Sequence, residues 1–207
     1  MIHFTSDPHL GCVNLVKHER PEFADVHEHD AYIIDRYNTC VDRNDTLVIV
    51  GDFCKEKPGR YRSLIRCRNI FFVLGNHDGE AKIKAVFGGN VWTRKIVKLG
   101  NGIKVLCDHH PSCYWDGSHK GWYHAYGHIH FKPRYEAAMD LAFPGRRSMD
   151  VSVIAAKKIL GDYRPFSAVE FMSILGNRPG HDIIPVEEQW HDKDYAASND
   201  GDGDADD

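Results

Sequence analysis

This sequence has no long apolar run, no paired-cysteine motif, no basic stripe and no internal repeat, and each absence excludes something. No stretch approaches the roughly 20 apolar residues that a membrane span requires. Met1-Ile2-His3-Phe4 runs straight into a polar motif rather than a secretory leader. The expectation is a soluble protein that is not secreted. Six cysteines, at 12, 40, 54, 67, 107 and 113, show neither a C-x-x-C pair nor a disulfide-framework spacing, which fits a reducing cytoplasm. Cys107 lies in an apolar segment and reads as core. Cys12, Cys54 and Cys113 fall near polar motifs and read as packing or loop positions rather than thiolate nucleophiles. Without a basic stripe, nucleic acid is possible as a partner but not indicated.

At 207 residues the chain is long enough for one domain with a proper core, and 42% hydrophobic content is ordinary for a globular protein. The net charge of −4 is concentrated at one end, where Ser198 to Asp207 reads SNDGDGDADD. Removing its five Asp leaves 25 acidic against 26 basic residues, a near-neutral body. A Gly/Asp tail cannot bury apolar surface, so 1–197 is expected to form the domain and 198–207 a disordered acidic tail. The tail lacks the Gly and Glu offsets of a calcium loop.

Along the chain, 2–6 reads as a strand ending at Asp7, and 28–42 has apolar residues at helical period. Residues 46–50 and 69–74 are continuous apolar strands, which implies cover on both faces. A helix is expected around 80–87, then a hairpin from 91–99 and 103–107 around Gly100-Asn101-Gly102. Residues 123–126 and 149–154 read as further strands, and 168–175 as a late helix. Strand–helix alternation followed by mostly strands predicts an α/β (α+β four-layer) fold, a two-sheet β-sandwich flanked by helices.

Five short motifs follow expected strand ends: Asp7-Pro8-His9, Gly51-Asp52, Gly75-Asn76-His77-Asp78, Asp108-His109-His110 and Gly127-His128-Ile129-His130. That is where α/β folds place their sites. Together the motifs supply carboxylate, imidazole and amide ligands, a set for two divalent cations side by side. In extended chain, residues i and i+2 point the same way, so Asp7 and His9 can grip one cation. Asp52 offers two oxygens that can bridge two. The mixed N/O donors suit Mn, Fe, Zn or Ni rather than Ca.

In order and chemistry these motifs resemble the calcineurin-like metallophosphoesterases, over residues 1 to about 175. The likeness is nearest to their small single-domain bacterial and phage branch, with Leu10-Gly11-Cys12-x-Asn14, Arg20-Pro21 and Met149-Asp150-Val151-Ser152 in the expected places. Cys12 stands where that branch usually has a histidine. The resemblance implies that one metal takes Asp7, His9, Asp52 and His130, and the other Asp52, Asn76, His109 and His128. The family's spacing places His109 in register and leaves His110 substrate-facing or structural. His77 resembles the family's non-ligand catalytic histidine, with Asp78 as its orienting partner.

The implied function is a binuclear metal-dependent phosphoesterase with two divalent metal ions, manganese favoured. Its substrate would be a small phosphomonoester or phosphodiester, a nucleotide among them, attacked by a metal-bridging hydroxide. Phe53-Cys54-Lys55-Glu56 after Asp52 departs from the Ser/Thr protein phosphatases and disfavours that activity. The expected location is the cytoplasm, a host's if the chain is phage-encoded, with no membrane partner. Three other readings stand beside this one. The first is a nuclease on short single strands, with the aromatic loop Tyr114, Trp115, Trp122, Tyr123 able to stack a base or to pack over the second sheet. The second is a non-catalytic metal-binding or interaction protein on the same fold. The third is a mononuclear zinc hydrolase, which leaves Asp52 and Asn76 without purpose. His119, His124 and the basic residues Lys55, Lys57, Arg60, Arg62, Arg146 and Arg147 are candidates for substrate contact.

Overall fold

Thr46-Leu-Val-Ile-Val50 shows how the sheets are covered. Val48 and Val50 pack in one core with Phe4 and Val73, while Leu47 and Ile49 pack in another with Ile33, Tyr37 and Ile83. Alternate side chains of a strand face opposite ways, so a strand that is apolar throughout needs both covers. The structure, a computed structural model, describes residues 1–180 and supplies both.

The chain runs through β1 (Ile2–Thr5), α1 (Val13–Glu19), α2 (Val26–Cys40), β2 (Thr46–Val50), α3 (Pro58–Leu64) and β3 (Asn69–Val73). Next come α4 (Glu80–Phe87), β4 (Val91–Trp92), β5 (Arg94–Gly100), β6 (Ile103–Asp108) and β7 (Tyr123–Tyr126). It closes with α5 (Pro133–Ala142), β8 (Ser148–Asp150), α6 (Val153–Leu160), β9 (Phe166–Ser167) and α7 (Ala168–Leu175). One sheet has the order β4-β3-β2-β1-β9, parallel except for β9. The other has the order β5-β6-β7-β8, with an antiparallel β5–β6 hairpin and β6, β7, β8 parallel.

The sheets meet through a shared core in which Val97, Val105, Cys107, Ala125 and Met149 join Phe4, Val48 and Val50. The outer face of the first sheet is covered by α2, α3 and α4 through Ile33, Tyr37, Tyr61, Ile83 and Phe87. This is the expected two-sheet α/β sandwich flanked by helices, the architecture the family resemblance implies. Among the described residues, no helix is long and apolar enough to cross a membrane.

Two expected elements differ. The strand over 91–99 is two: Val91 and Trp92 pair in parallel with β3 in the first sheet, and β5 begins the second sheet at Arg94. The strand over 149–154 stops at Asp150, and Ser152 caps α6 by accepting a hydrogen bond from the Ala155 N–H. Helices α1, α3 and α5 were not expected; α3 and α5 start with proline in the first turn, where its missing N–H costs nothing. The expected acidic tail and the last part of the expected domain, 181–197, lie outside the described residues.

Candidate metal centre

Parallel β1, β2 and β3 in one sheet and β6 and β7 in the other end on the same side of the sandwich, and the five motifs follow those ends. The backbone there is strained. Asp7 (φ 52°), His9 (47°), Asp52 (54°), His128 (69°) and His130 (48°) all lie in the left-handed region, five of the eight non-glycine residues that do so among the described residues. Each such residue costs on the order of 1–3 kcal/mol, which the surrounding structure must hold. Asp7 and His9 are therefore not in the expected extended chain, yet both point to one place.

Hydrogen bonds fix the turns. The N–H groups of Asp7 and His9 donate to the carbonyls of Gly51 (3.0 Å) and Asp52 (3.1 Å). From inside, the fully buried Arg20 donates to the carbonyls of Asp7 (2.7 Å) and Pro8 (2.8 Å). Two glycines make room for carboxylates. A Cβ at Gly75 would meet Asp52 Oδ1 at 2.2 Å, and one at Gly127 would meet Asp7 Oδ2 at 2.1 Å.

Two groups of ligand atoms result, Asp7/His9/His130 and Asp52/His109/His128, each within 4.8 Å of one another. In the first, Asp7 Oδ1 lies 3.3 Å from His130 Nε2 and 3.6 Å from His9 Nε2, and those two nitrogens are 3.2 Å apart. In the second, Asp52 Oδ2 lies 3.3 Å from His109 Nε2, while Asn76 Oδ1 is 3.1 Å from that nitrogen and 2.8 Å from His128 Nδ1. Asp52 Oδ2 also lies 3.6 Å from His9 Nε2, so its carboxylate stands between the groups.

The donor set fits divalent cations. Asp7 Oδ1 is buried without a hydrogen-bond donor, although Oδ2 accepts from Ser6 Oγ (2.6 Å) and the His128 N–H (3.0 Å). A buried carboxylate oxygen left this way beside imidazole nitrogens is one a cation would satisfy. The ring tautomers agree with this. His109 Nδ1–H donates to the Val50 carbonyl (2.8 Å) and His130 Nδ1–H to Glu19 Oε2 (2.5 Å), leaving both Nε2 atoms facing the carboxylates.

Electrostatics hold the same groups together. Burial opposes charge on His109 and His130, but the adjacent Asp52 and Asp7 carboxylates, with the Glu19 bond to His130, hold both pKa values up to about 9. Burial likewise opposes charge on Asp7, yet the neighbouring His130, His9 and His109 rings hold it below the usual carboxylate range. Burial and the neighbouring His110 and His109 push His128 down.

The remaining expected residues divide. His77 is exposed, with its ring centroid 5.7 Å from that of His9. Asp78, expected to orient His77, instead accepts from the backbone N–H of Asp52 (2.8 Å), Gly75 (2.8 Å) and Phe53 (3.0 Å), tying two of the turns together. His110 is exposed, its ring 4.4 Å from that of His128. His124 is buried, bonded to the Leu106 carbonyl and packed on Trp115 and Tyr126. Arg146 is also buried, bonded to Glu136, Asp140, Tyr126 and Ser148, so neither residue reaches a substrate. Trp115 is buried and donates to the Trp122 carbonyl (3.1 Å), so it packs rather than offering a face to a base. Glu19 and Arg20, which support the centre, carried no motif signal beyond the Arg20-Pro21 pair.

No protein-family model matches the chain. It is 28% identical over 157 residues to an uncharacterized protein of Methanocaldococcus jannaschii, covering 73% of this chain and 81% of that one. A solved protein of unknown function from Aquifex aeolicus aligns over 84% of this chain and 98% of its own, with TM-score 0.65 and 20% identity, so the two share a fold. Yfce, a phosphoesterase from E. coli, aligns over 73% of this chain and 78% of its own, with TM-score 0.42 and 14% identity.

Proposed function

We propose that the chain is a metal-dependent phosphoric ester hydrolase that works with two divalent cations, manganese favoured, on a small phosphomonoester or phosphodiester. The observation that carries this reading is the Asp52 carboxylate, which belongs to one three-residue group of ligand atoms and lies 3.6 Å from His9 of the other. Asp7, His9 and His130 would hold one cation, and Asn76, His109 and His128 the other, with Asp52 serving both. Cations held there would lower the pKa of a water and neutralise the phosphate oxygens.

The protein groups would do the rest. His77, exposed beside His9, would hold a proton within reach of the departing oxygen. As the bond from the water oxygen to phosphorus forms, the ester P–O bond breaks. The departing oxygen takes its proton from His77, and the proton lost by the water goes to solvent. Asp78 would act as a positioning residue, because its bonds hold the turns that carry Asp52 and Asn76. All six cysteines are free thiols, which supports a cytoplasmic location.

Hydrolysis of p-nitrophenyl phosphate and bis-p-nitrophenyl phosphate with added manganese tests the proposal. Turnover in wild type that is lost in Asp52→Ala and His77→Ala is the expected result, and the faster substrate separates monoester from diester preference. Full turnover in Asp52→Ala would overturn the reading.

A further inference from the structure

A groove of ≈ 460 Å³ adjoins the candidate centre, with His9 and His77 among its lining residues. Its volume is within the range of about 300–1,000 Å³ that small-molecule sites occupy. One wall is α1, which presents Leu15 with Asn14 and His18, the last two one helical turn apart. Cys12 at the start of that helix and Cys54 on the facing loop continue the apolar lining, and Lys55 stands exposed on the opposite side. A second cavity of ≈ 360 Å³ beyond Lys55 includes no residue of the candidate centre, so it lies outside the chemistry.

His77 gives the groove a direction. If His77 protonates the departing oxygen, the group attached to that oxygen lies on the His77 side of the phosphorus, and His77 lines the groove. We propose, resting on the phosphoesterase reading above, that this groove receives the departing alcohol of the substrate. It selects an alcohol carrying a ring-sized apolar body with a polar edge. Leu15, Cys12 and Cys54 would cover the apolar body, while Asn14, His18 and Lys55 are placed to meet the polar edge. A short polyol such as glycerol has no apolar body to bury there and would gain little from the groove.

Glu19 links the groove to the centre. It stands on the same helix as Leu15 and lines the same space, while its carboxylate holds His130 Nδ1. The helix that shapes the specificity wall therefore also braces one candidate ligand.

The test compares phenyl phosphate with glycerol phosphate on the manganese-loaded full chain, in wild type, Leu15→Asp and Val13→Asp. The ratio of the two kcat/KM values, compared between variants, cancels the intrinsic difference in leaving-group reactivity. Leu15→Asp places a carboxylate in the apolar wall and should lower the phenyl-over-glycerol ratio by about tenfold, mainly through KM for phenyl phosphate. Val13→Asp adds the same charge to α1 at a position 58% exposed and outside the groove, and should leave the ratio unchanged.

The second readout needs no turnover. Cys12 is half-buried in the groove wall, so its alkylation by iodoacetamide, followed on its own peptide by mass spectrometry, reports occupancy. Phenylphosphonate should slow it and methylphosphonate should not. An unchanged ratio in Leu15→Asp, or equal protection by the two phosphonates, would overturn the groove assignment and leave the phosphoesterase reading intact. No wild-type turnover with two metals bound would overturn the catalytic reading. Selective protection of Cys12 would then still support the groove as a binding site.

Discussion

Glu19 Oε2 lies 2.5 Å from His130 Nδ1, and this bond decides which nitrogen of His130 faces Asp7. A carboxylate behind a ligating histidine fixes its tautomer and raises its basicity, and losing such a partner costs about 10–100-fold in metal affinity. Glu19→Gln should weaken manganese binding by about that factor in a calorimetric titration, with little change in kcat once the metal saturates. Unchanged affinity would show that Glu19 does not support a metal ligand.

Arg20 should matter for stability rather than chemistry. Its buried guanidinium bonds the carbonyls of both Asp7 and Pro8, so Arg20→Met leaves two buried carbonyls without their donor. The expected cost is about 2–4 kcal/mol, seen as a Tm lowered by roughly 5–15 °C. Lysine should rescue little, because one ammonium replaces the two-pronged donor poorly.

Gly75→Ala tests the close approach at the centre. The added Cβ would stand 2.2 Å from Asp52 Oδ1 and 2.5 Å from the Asp52 backbone nitrogen, so the turn that carries the carboxylate must shift. Metal affinity should fall by about tenfold or more while the circular dichroism spectrum stays that of the wild type. Wild-type affinity would show that Asp52 is not held where the structure places it.

Protons and metal compete for the same rings. In metal-free protein His109 and His130 titrate at about 9, above their ordinary value of 6.5. Folded pKa values above the unfolded ones mean stability that is complete below about 6.5 and lost as the pH rises through about 9. Metal takes the deprotonated rings, so binding near neutral pH should release about two protons and strengthen over that same window. Calorimetric scans across that window should show Tm of chelator-treated protein falling, with a widening gap to manganese-loaded protein. A metal-free Tm that stays flat throughout would contradict the arrangement of charges.

Two of the strands that carry the centre, 46–50 and 69–74, are legible because they are continuous apolar segments, and 46–50 has the bounds expected. The motif residues were legible because their chemistry is unusual so near a strand end. Val153-Ile-Ala-Ala was not, since a short apolar run suits a buried strand or a buried helix, and the Ser152 cap decided for the helix. The division of 91–99 was hidden for a similar reason: Val91 and Trp92 complete β3's sheet by long-range pairing, which local pattern does not report. Glu19 and Arg20 escaped because their roles depend on α1 folding back beneath Asp7 and His130. Nothing in residues 13–20 taken alone places that helix there.

The shared Asp52 carboxylate is tested most plainly by the number and coupling of manganese ions per chain, by elemental analysis and electron paramagnetic resonance, in wild type and Asp52→Ala. Wild type should hold two ions with an exchange-coupled signal, and the coupling should be lost when the shared carboxylate is removed. One ion per chain in wild type, or two uncoupled ions, would contradict that sharing.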